Sequence, residues 1–399
     1  MRQAKIRYYD DKEEHGIIYD WDMIRKEYRK LVKVKDIYDP CTAPVDNTAY
    51  TTLMSIRSTG KTTAWILIGM IMRRHYGTQI IYMRQREDEI MPKFSQEALK
   101  VINSYKGGYY ISELTDGRYN ATYTHARRTY FCRRDEDGRI TEKEEEPFMI
   151  AVAVEQSELL KSGFNVPQGD LVIYDEFITK VQNPDDFENF MQLMSTIIRK
   201  RKSVRCILLA NNTNVHHQFF REFEISKDVR DLKEGEYKYL KTGMGTSIYV
   251  ELIGLKPSRI RQEVNAFYFG FNNPKLSSIQ GGVAWVFDMV PHIHHADSDI
   301  YVNRMLHIFV NEEMLRVDLV ISEDRGLICN VVPSKKPKGD AVILTLGDIT
   351  STRELYGYGR GPLCVKVWEL YRQNKWYYAD NETGSLVTDY VRQCRLKRI

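Results

Sequence analysis

One stretch of the sequence contains the residue types that hold the phosphates of a nucleotide. Residues 55–62 read SIRSTGKT, and the phosphate-loop pattern is Gly, any four residues, Gly, Lys and then Ser or Thr. Every defined position is met except the first, where Ser55 replaces glycine. Lys61 is therefore expected to neutralise the β and γ phosphates of ATP, and the Thr62 hydroxyl to bind Mg²⁺. The rest of the predicted nucleotide-binding set in this stretch is Ser55, Ser58, Thr59, Gly60 and Thr63.

A second stretch supplies two acids. Residues 171–176 read LVIYDE, an apolar run that ends in Asp175 and Glu176. At the end of a buried strand, Asp175 can hold Mg²⁺ and Glu176 can polarise the attacking water. Each stretch alone has a simpler explanation: a chance Gly-Lys-Thr at a helix start, or a strand that becomes acidic where it meets solvent. Both stretches in the expected order, with a strand-helix-strand unit between them, predict nucleotide hydrolysis.

The next apolar run ends in a polar residue. RCILLANN, residues 205–212, is predicted to be a strand with Asn211 near its end. A polar side chain at the tip of the strand beside the acidic strand can contact the γ phosphate and respond to its loss. An asparagine turn is the alternative explanation.

Short apolar strands alternate with helices around these motifs, after a charged N-terminal arm. Strands are predicted over 50–56, 78–84, 170–176 and 203–212. Helices are predicted over 61–77 and from 185 to about 201. Near-continuous apolar strands alternating with helices are typical of a parallel sheet that is covered on both faces. The sequence therefore predicts an α/β fold.

The length predicts two domains and a connecting segment, because 399 residues exceed what one core usually serves. We assign residues 1–220 to the α/β domain. Within it, polar and apolar residues alternate over 119–154 around Asp137-Gly138, which predicts a hairpin inserted at the sheet edge. The polar, broken sequence of 221–280 predicts a linker or lid. Residues 281–399 predict a smaller, mostly antiparallel α+β domain that is closed by a helix near 384–396.

The composition is that of an ordinary folded protein, with 43% hydrophobic and 28% charged residues. The net charge of +4 is too small to indicate nucleic-acid binding by itself. Six cysteines lack CxxC spacing and are interpreted as reduced thiols in a cytosolic setting. The first residues have no apolar signal segment, and the longest apolar run, AWILIGMIM, is too short to cross a bilayer. We expect a protein that is neither secreted nor embedded in a membrane.

The motifs resemble those of the small DNA-packaging ATPases, or encapsidation proteins, of Picovirinae-type tailed phages, which are relatives of terminase large subunits. The resemblance is carried by SIRSTGKTT, LVIYDEFI and TIIRKRKSVRCILLAN and covers about the first 220 residues. It implies a P-loop ATPase domain of the ASCE/RecA-like class, followed by a domain similar to a vestigial RNase H-like nuclease that no longer cleaves. It implies a motor that uses ATP to package double-stranded viral DNA into a procapsid.

The resemblance also implies roles for individual residues. Lys61 is the nucleotide lysine, Thr62 the metal ligand, Asp175 the Walker B aspartate and Glu176 the catalytic glutamate. Arg57 matches an arginine that the family carries inside the phosphate loop, where it contacts the nucleotide and takes part in catalysis.

Three further cations are implied to act on other molecules. Arg199 falls where ring ATPases place an arginine that reaches the nucleotide of the next subunit, and such an arginine is worth about 10³ to 10⁵ in rate. Lys161 is a second candidate for this role, and a solvated basic helix end is the alternative for the Arg199–Lys202 run. Lys180, in FITKVQNPDD, resembles a residue of the family's pore-facing loop and would contact DNA phosphates of any sequence. A solvated loop lysine is its alternative.

The partners implied by the resemblance are further copies of the chain in a ring, five by resemblance, and the portal of the procapsid. The site of action would be the host cytoplasm. Some relatives also use a structural packaging RNA, which makes RNA a candidate partner.

Three other functions remain open from the sequence. The second domain could be an active endonuclease, although Asp318, Asp340 and Asp348 show no arrangement specific to a two-metal site and are interpreted as surface or turn residues. A small-molecule kinase would need acceptor-binding features that we do not find. A non-enzymatic scaffold would have a nucleotide site inactivated by Ser55. HIHHAD, residues 292–297, is interpreted as a polar turn and not as a zinc site.

Overall fold

The computed structural model describes residues 17–33, 38–55, 59–160, 166–179, 183, 185–199, 201–211, 217–254, 290–293, 299–335, 337 and 339–396. The chain divides into two compact units, Met1–Thr213 with Glu222–Ala284 and Asn214–Arg221 with Trp285–Ile399. Each unit has its own sheet and its own apolar core.

In the described part of the first unit, a ten-stranded and mostly parallel sheet carries the fold. Its strands are β1 (Tyr50–Ser55), β2 (Ile80–Arg84), β3 (Ala121–His125), β4 (Arg128–Arg134), β5 (Ile140–Lys143), β6 (Met149–Ala153), β7 (Leu171–Asp175), β8 (Arg205–Asn211), β9 (Tyr237–Lys241) and β10 (Ser247–Leu252). Their order across the sheet is β3-β4-β6-β2-β7-β8-β1-β10-β9, with β5 beside β4. From β6 to β10 all neighbours are parallel, and antiparallel strands flank this central part on both sides.

Helices cover both faces of this sheet. In the first unit, up to residue 230, they are α1 (Trp21–Leu31), α2 (Lys61–Tyr76), α3 (Pro92–Ser104), α4 (Tyr109–Leu114), α5 (Ser157–Leu160), α6 (Asp186–Ile198) and α8 (Ser226–Arg230). The helix α7 (Gln218–Glu222) comes between α6 and α8 in the chain, but most of it belongs to the second unit. α2 packs against α1, α3 and α4 and shares their core with Ile173 of β7. Tyr174, the next residue of β7, points to the other face because side chains alternate along a strand. There its ring lies 5.5 Å from that of Phe190 in α6.

The helix α2 is set by two glycines and an apolar sequence. Gly60 precedes it with φ 81° and Gly77 follows it with φ 71°, and glycine adopts this left-handed conformation without steric cost. Most residues between them are buried on every side of the helix, as expected for a helix in the middle of a domain. At Gly69 an added Cβ would lie 2.4 Å from the side chain of Ile80, so the helix and β2 are in close contact.

The described residues of the second unit form a six-stranded sheet with two helices. The elements are β11 (Ile300–Val310), β12 (Glu313–Ser322), β13 (Gly326–Ser334), β14 (Val342–Thr345), β15 (Glu354–Tyr356), α9 (Pro362–Arg372), β16 (Trp376–Tyr378) and α10 (Asn381–Leu396). The strand order is β15-β14-β11-β12-β13-β16, and α9 and α10 share one apolar core with it. Arg221 of α7 donates a hydrogen bond to Gln393 of α10 at 2.8 Å, and Arg221 belongs to this unit.

Most predicted elements of the first domain are confirmed. The four predicted strands correspond to β1, β2, β7 and β8, and the two predicted helices to α2 and α6. The hairpin around Asp137-Gly138 is confirmed as β4 and β5, and a second hairpin of β3 and β4 lies beside it at the sheet edge. The closing helix of the second domain is confirmed as α10.

Three expectations differ from the structure. The linker or lid predicted over 221–280 is wrong for its described part, because β10 pairs with β1 inside the large sheet and β9 pairs with β10. The second sheet is mixed: the long strands β11, β12 and β13 are antiparallel as expected, but the short strands β14, β15 and β16 are added in parallel. α1 lies in what we took for a charged arm, where the side chain of Asp20 accepts from the backbone N–H of Met23 and begins the helix.

The six cysteines are all buried and free, in agreement with reduced thiols. Among the described residues, no helix combines the length and the apolar character needed to span a bilayer.

Candidate nucleotide-binding site

The carboxyl ends of three neighbouring parallel strands form the candidate site. β8 lies between β1 and β7, so the strand before the phosphate loop and the acidic strand are separated by one strand. In the register of these strands Ser55 is opposite Asn211, and Asp175 is opposite Leu209. Parallel strands end at one edge of the sheet, where ligands of such folds usually bind. The loop, the acids and Asn211 therefore meet at the same edge.

A cleft of about 340 Å³ lies at this edge. Its lining residues are Thr59, Gly60, Lys61, Thr62, Thr63, Asp175, Glu176, Ala210 and Asn211. Every one except Ala210 belongs to the set that we predicted from the sequence. The structure thus brings the loop residues, the two acids and Asn211 together around one cavity.

The hydroxyl of Ser55 has a specific partner. Lys61 is the first residue of α2, and its ammonium donates hydrogen bonds to Ser55 Oγ and, at 3.5 Å, to Thr59 Oγ1. Ser55 and Thr59 are also hydrogen-bonded to each other, with 2.8 Å between their hydroxyl oxygens. The residue that departs from the phosphate-loop pattern therefore provides an acceptor that orients the lysine.

Burial changes the proton affinity of Lys61. Its side chain is almost completely buried, and burial lowers the pKa of Lys61 from 10.5 to about 8, against the opposing effect of Asp175 and Glu176. Loss of water disfavours the charged ammonium, whereas nearby carboxylates favour it. The phosphates of a nucleotide would act in the same sense as the carboxylates and would stabilise the charged form.

Asp175 is held from two sides. Its Oδ1 accepts a hydrogen bond from Thr62 Oγ1 at 3.0 Å. Its Oδ2 accepts one from the Tyr82 hydroxyl at 2.8 Å and a longer one from Arg84 at 3.4 Å. Burial and the neighbouring Asp175 raise the pKa of Tyr82 well above its ordinary value, so the tyrosine stays a neutral donor. The carboxylate therefore has a fixed orientation, with Oδ1 towards the start of α2.

Glu176 is positioned by a turn and by a cation. Its φ of 54° is uncommon for a residue other than glycine, and it turns the chain directly after β7. Arg84, the last residue of β2, lies 2.8 Å from Glu176 Oε2 and 3.4 Å from Asp175 Oδ2. Although burial opposes it, the neighbouring carboxylates of Asp175 and Glu176 raise the pKa of Arg84 above its ordinary value. The guanidinium therefore bridges the two acids and offsets one of their two negative charges.

Sequence reasoning missed Tyr82 and Arg84. Both lie on β2, which is the direct neighbour of β7, with Tyr82 opposite Ile173. The sequence did contain an indication that Arg84 lies at the site. The carboxyl ends of all parallel strands lie at one edge of the sheet, and Arg84 is the last residue of a predicted strand. The missing information was the strand order, which no local pattern reveals.

The residues present fit a magnesium ion. Thr62 Oγ1 and Asp175 Oδ1 are 3.0 Å apart and both residues line the cleft. Mg²⁺ prefers hard oxygen ligands and usually takes one or two from the protein, while phosphates and waters supply the others. A hydroxyl and a carboxylate side by side next to the phosphate loop meet this requirement.

Arg199 does not belong to the cleft of its own chain. It follows the last residue of α6, its side chain is exposed, and its backbone has the strained angles φ 48° and ψ −110°. Two residues later the guanidinium of Arg201 binds the buried Asp170, which directly precedes β7. The turn around Arg199 is thus at the amino edge of the sheet, and the length of β7, about 13 Å, separates it from Asp175 at the opposite edge.

Several predicted site residues lie outside the described part of the chain. They are Arg57, Ser58, Lys161 and Lys180. In the HIHHAD stretch only the first two residues are described, and His292 is hydrogen-bonded to the carbonyl oxygen of Tyr378 at 2.9 Å.

The carboxylates considered for a nuclease site have different surroundings. Asp340 and Asp348 are exposed and lie outside strands, as expected for surface or turn residues. For Asp318 that interpretation is wrong: it lies inside β12, is 1% exposed and forms a two-pronged ion pair with Arg316 at 2.6 and 2.9 Å. Its neighbours Val317 and Leu319 are buried as well, and the pairing cation two residues earlier is what allows the charge to be buried. Within the described residues, no group of three or more His, Cys, Asp or Glu side chains could hold a metal ion.

The sheet order and the loop at the start of α2 define the first unit as a P-loop nucleotide-binding domain. The acidic strand, the Asn211 strand and the loop strand are neighbours in that order, and the phosphate loop leads directly into a helix N-terminus, which favours anions. The chain belongs to the Podovirus DNA encapsidation protein (Gp16) family, whose model matches residues 35–237.

Individual relatives are more distant. The DNA packaging protein of Bacillus phage phi29 is 29% identical over 158 residues, which are 39% of this chain and 40% of the relative. That of Bacillus phage B103 is 25% identical over 169 residues, 41% of this chain and 44% of the relative. The chain thus matches less than half the length of these curated relatives. A solved structure of the bacteriophage Phi-29 viral genome packaging motor assembly is similar over 90% of this chain and 100% of its own, with a TM-score of 0.53 at 19% identity; this similarity shows the fold.

Proposed function

We propose that this protein is an ATP-driven translocase that packages double-stranded viral DNA into a procapsid. The observation that carries the proposal is the cleft in which Lys61 and Thr62 face Asp175 and Glu176. Membership of a DNA encapsidation family supports DNA as the substrate, and the relatives from phages phi29 and B103 are named DNA packaging proteins.

In the proposed reaction the cleft binds the triphosphate of ATP. Lys61 and the backbone N–H groups at the start of α2 contact the phosphates, because a helix N-terminus carries unpaired donors and a partial positive charge. Thr62 and Asp175 would hold Mg²⁺, which neutralises charge on the phosphate oxygens when it is bound. Glu176 accepts a proton from the attacking water, and Asn211 at the end of β8 contacts the γ phosphate.

Arg199 is assigned to the cleft of the next subunit in a ring. It is exposed and lies at the sheet edge opposite its own cleft, so any nucleotide that it contacts belongs to another copy. Its strained backbone costs about 1 to 3 kcal/mol, and strain of this size is found mostly at functional sites. Arg201 supports the turn, since its guanidinium donates to the carbonyl oxygen of Pro167 at 2.7 Å and pairs with Asp170.

The remaining roles rest on the resemblance alone. Arg57 would contact the nucleotide within the phosphate loop, Lys161 would be a second cation acting on the neighbouring subunit, and Lys180 would contact DNA phosphates. The motor would be a homomeric ring of five that docks on the portal in the host cytoplasm, with a structural RNA as a further candidate partner.

The decisive experiment measures phosphate release by the purified chain with and without double-stranded DNA. We expect ATP hydrolysis that DNA stimulates, and its loss in Lys61→Ala and in Glu176→Gln. Lys143→Ala is the matched control for the lysine change, because Lys143 is an exposed residue of β5 outside the cleft. Wild-type turnover in Lys61→Ala or Glu176→Gln would refute the site.

Two further measurements separate the alternatives. Stimulation by DNA would exclude a small-molecule kinase, and any phosphate release would exclude a scaffold with an inactive site. Incubation of the protein with plasmid and Mn²⁺ tests the endonuclease; cut plasmid would show that the second domain has an activity that the proposed translocase does not include.

A further inference from the structure

Tyr82 is a buried residue of β2 that the proposed hydrolysis does not use. It is 3% exposed, and its hydroxyl donates a hydrogen bond to Asp175 Oδ2 at 2.8 Å. In the register of β2 with the adjacent strand β7, Tyr82 is opposite Ile173. Because side chains alternate along strands, Tyr82, Ile173 and Asp175 project from the same face of the sheet. The tyrosine therefore reaches the carboxylate from the adjacent strand.

The two oxygens of Asp175 have different partners. Oδ1 faces Thr62 at 3.0 Å, and these two oxygens form the pair that fits a magnesium ion. Oδ2 faces Tyr82 and, at 3.4 Å, Arg84. Arg84 is closer to Glu176, at 2.8 Å, so its hold on Asp175 is the weaker and shared one. The tyrosine hydroxyl is the short, neutral contact of Oδ2.

We propose that Tyr82 is a positioning residue that holds the carboxylate of Asp175 with Oδ1 directed towards Thr62 and the metal site. This inference rests on the proposed function, because it takes Asp175 as a magnesium ligand. Hydrogen bonds of this kind to ligating groups fix their orientation, and their loss typically lowers metal affinity by about 10 to 100-fold. Loss of the Tyr82 hydrogen bond should lower the affinity for the metal and should leave Lys61 and the phosphate loop unchanged.

The test compares Tyr82→Phe with Tyr174→Phe in the whole chain. Tyr174 is fully buried on β7, and its hydroxyl donates to Gln85 Oε1 at 2.5 Å without contacting Asp175. Each change removes the hydroxyl of a buried tyrosine and with it the hydrogen bond that this hydroxyl donates. Binding of a fluorescent ATP analogue is followed by anisotropy, first in EDTA and then over a series of free Mg²⁺ concentrations.

We expect Tyr82→Phe to bind the analogue as wild type does in EDTA, and to need about 10 to 100-fold more Mg²⁺ for the metal-dependent gain in affinity. Tyr174→Phe should keep the wild-type Mg²⁺ requirement. An unchanged Mg²⁺ requirement in Tyr82→Phe would overturn the inference, as would an equal shift in both variants. Failure of Tyr82→Phe to fold where Tyr174→Phe folds would also overturn it, because the hydroxyl would then serve the fold and not the metal.

The same data distinguish this inference from the proposed function. If wild type binds the analogue with no contribution from Mg²⁺, the nucleotide site itself is refuted and Tyr82 has no such role. If wild type shows the metal-dependent gain and Tyr82→Phe shows it equally, the site stands and the role of Tyr82 alone fails.

Discussion

Replacement of Lys61 by methionine should stabilise the protein while it abolishes nucleotide binding. Lys61 is 7% exposed and burial lowers its pKa, so the folded chain holds a charge in a place that disfavours it. Methionine has a similar length and no charge, and buried apolar side chains of this shape are well tolerated. Lys61 is therefore expected to reduce the stability of the fold in the absence of ligand.

The size of the effect follows from the pKa. A pKa of about 8 in place of 10.5 corresponds to about 3 kcal/mol, because each pH unit is worth about 1.4 kcal/mol. Below pH 8 the lysine is charged in both the folded and the unfolded chain, and the full cost is present. Between pH 8 and 10.5 the unfolded chain binds the proton and the folded chain does not, so the stability of wild type rises with pH. Above 10.5 the cost has disappeared.

The assay is urea unfolding of wild type and Lys61→Met without added nucleotide, at pH 7 and at several pH values up to about 10. At pH 7 the variant should be more stable by up to about 3 kcal/mol, and the difference should shrink as pH rises through 8. Lys143→Met serves as the control at an exposed position and should show no such convergence. Parallel pH profiles for wild type and Lys61→Met, with no change in their difference, would refute the reasoning.

Three other changes test separate parts of the structure. Arg84→Ala should lower the free energy of unfolding by about 3 kcal/mol, because the carboxylates of Asp175 and Glu176 lose the guanidinium that contacts both of them. A mixture of Arg199→Ala with Lys61→Ala should recover part of the phosphate release that neither variant shows alone. Gly108→Ala should cost more than about 2 kcal/mol in urea unfolding, because its φ is 86° and an added Cβ would lie 1.9 Å from a backbone carbonyl oxygen.

For each of these three changes, one outcome would contradict the expected role of the residue. A free energy of unfolding in Arg84→Ala equal to that of wild type would contradict its role at the acids. No recovery in the mixture at any ratio would argue against action of Arg199 between subunits. Gly107→Ala is the control for Gly108, since it has a φ of 64° but open space around an added Cβ; equal costs for the two would show that backbone strain alone explains both.

The local parts of the nucleotide site could be predicted from the sequence. The loop, the helix that follows it and the two acids are contiguous patterns whose spacing reflects short-range geometry, and the structure places Lys61, Thr62, Asp175 and Glu176 around one cleft. The predicted limits of α2 agree closely with the observed ones for the same reason. Gly77 follows the helix with left-handed backbone angles, and a glycine at this place in the sequence predicts the end of a helix.

The long-range parts could not be predicted. No local pattern states that β8 separates β1 from β7, or that β10 completes the sheet from a stretch that is polar around it. Arg84 was therefore seen as the end of a strand and not as the cation between two acids. The prediction that Asp318 is a surface or turn residue failed for a similar reason. Its burial depends on the ion pair with Arg316 on an internal strand, and the residue type alone does not reveal that pair.

The position of β10 matters for the synthesis of the protein. A ribosome releases β1 long before β10, so the nascent chain carries an unpaired apolar strand edge until residue 252 has been translated. A shortened chain that stops at 213 would contain every residue of the cleft and would still lack the strand that protects β1. Such fragments should aggregate, whereas a fragment that extends to 254 gives β1 its second neighbour.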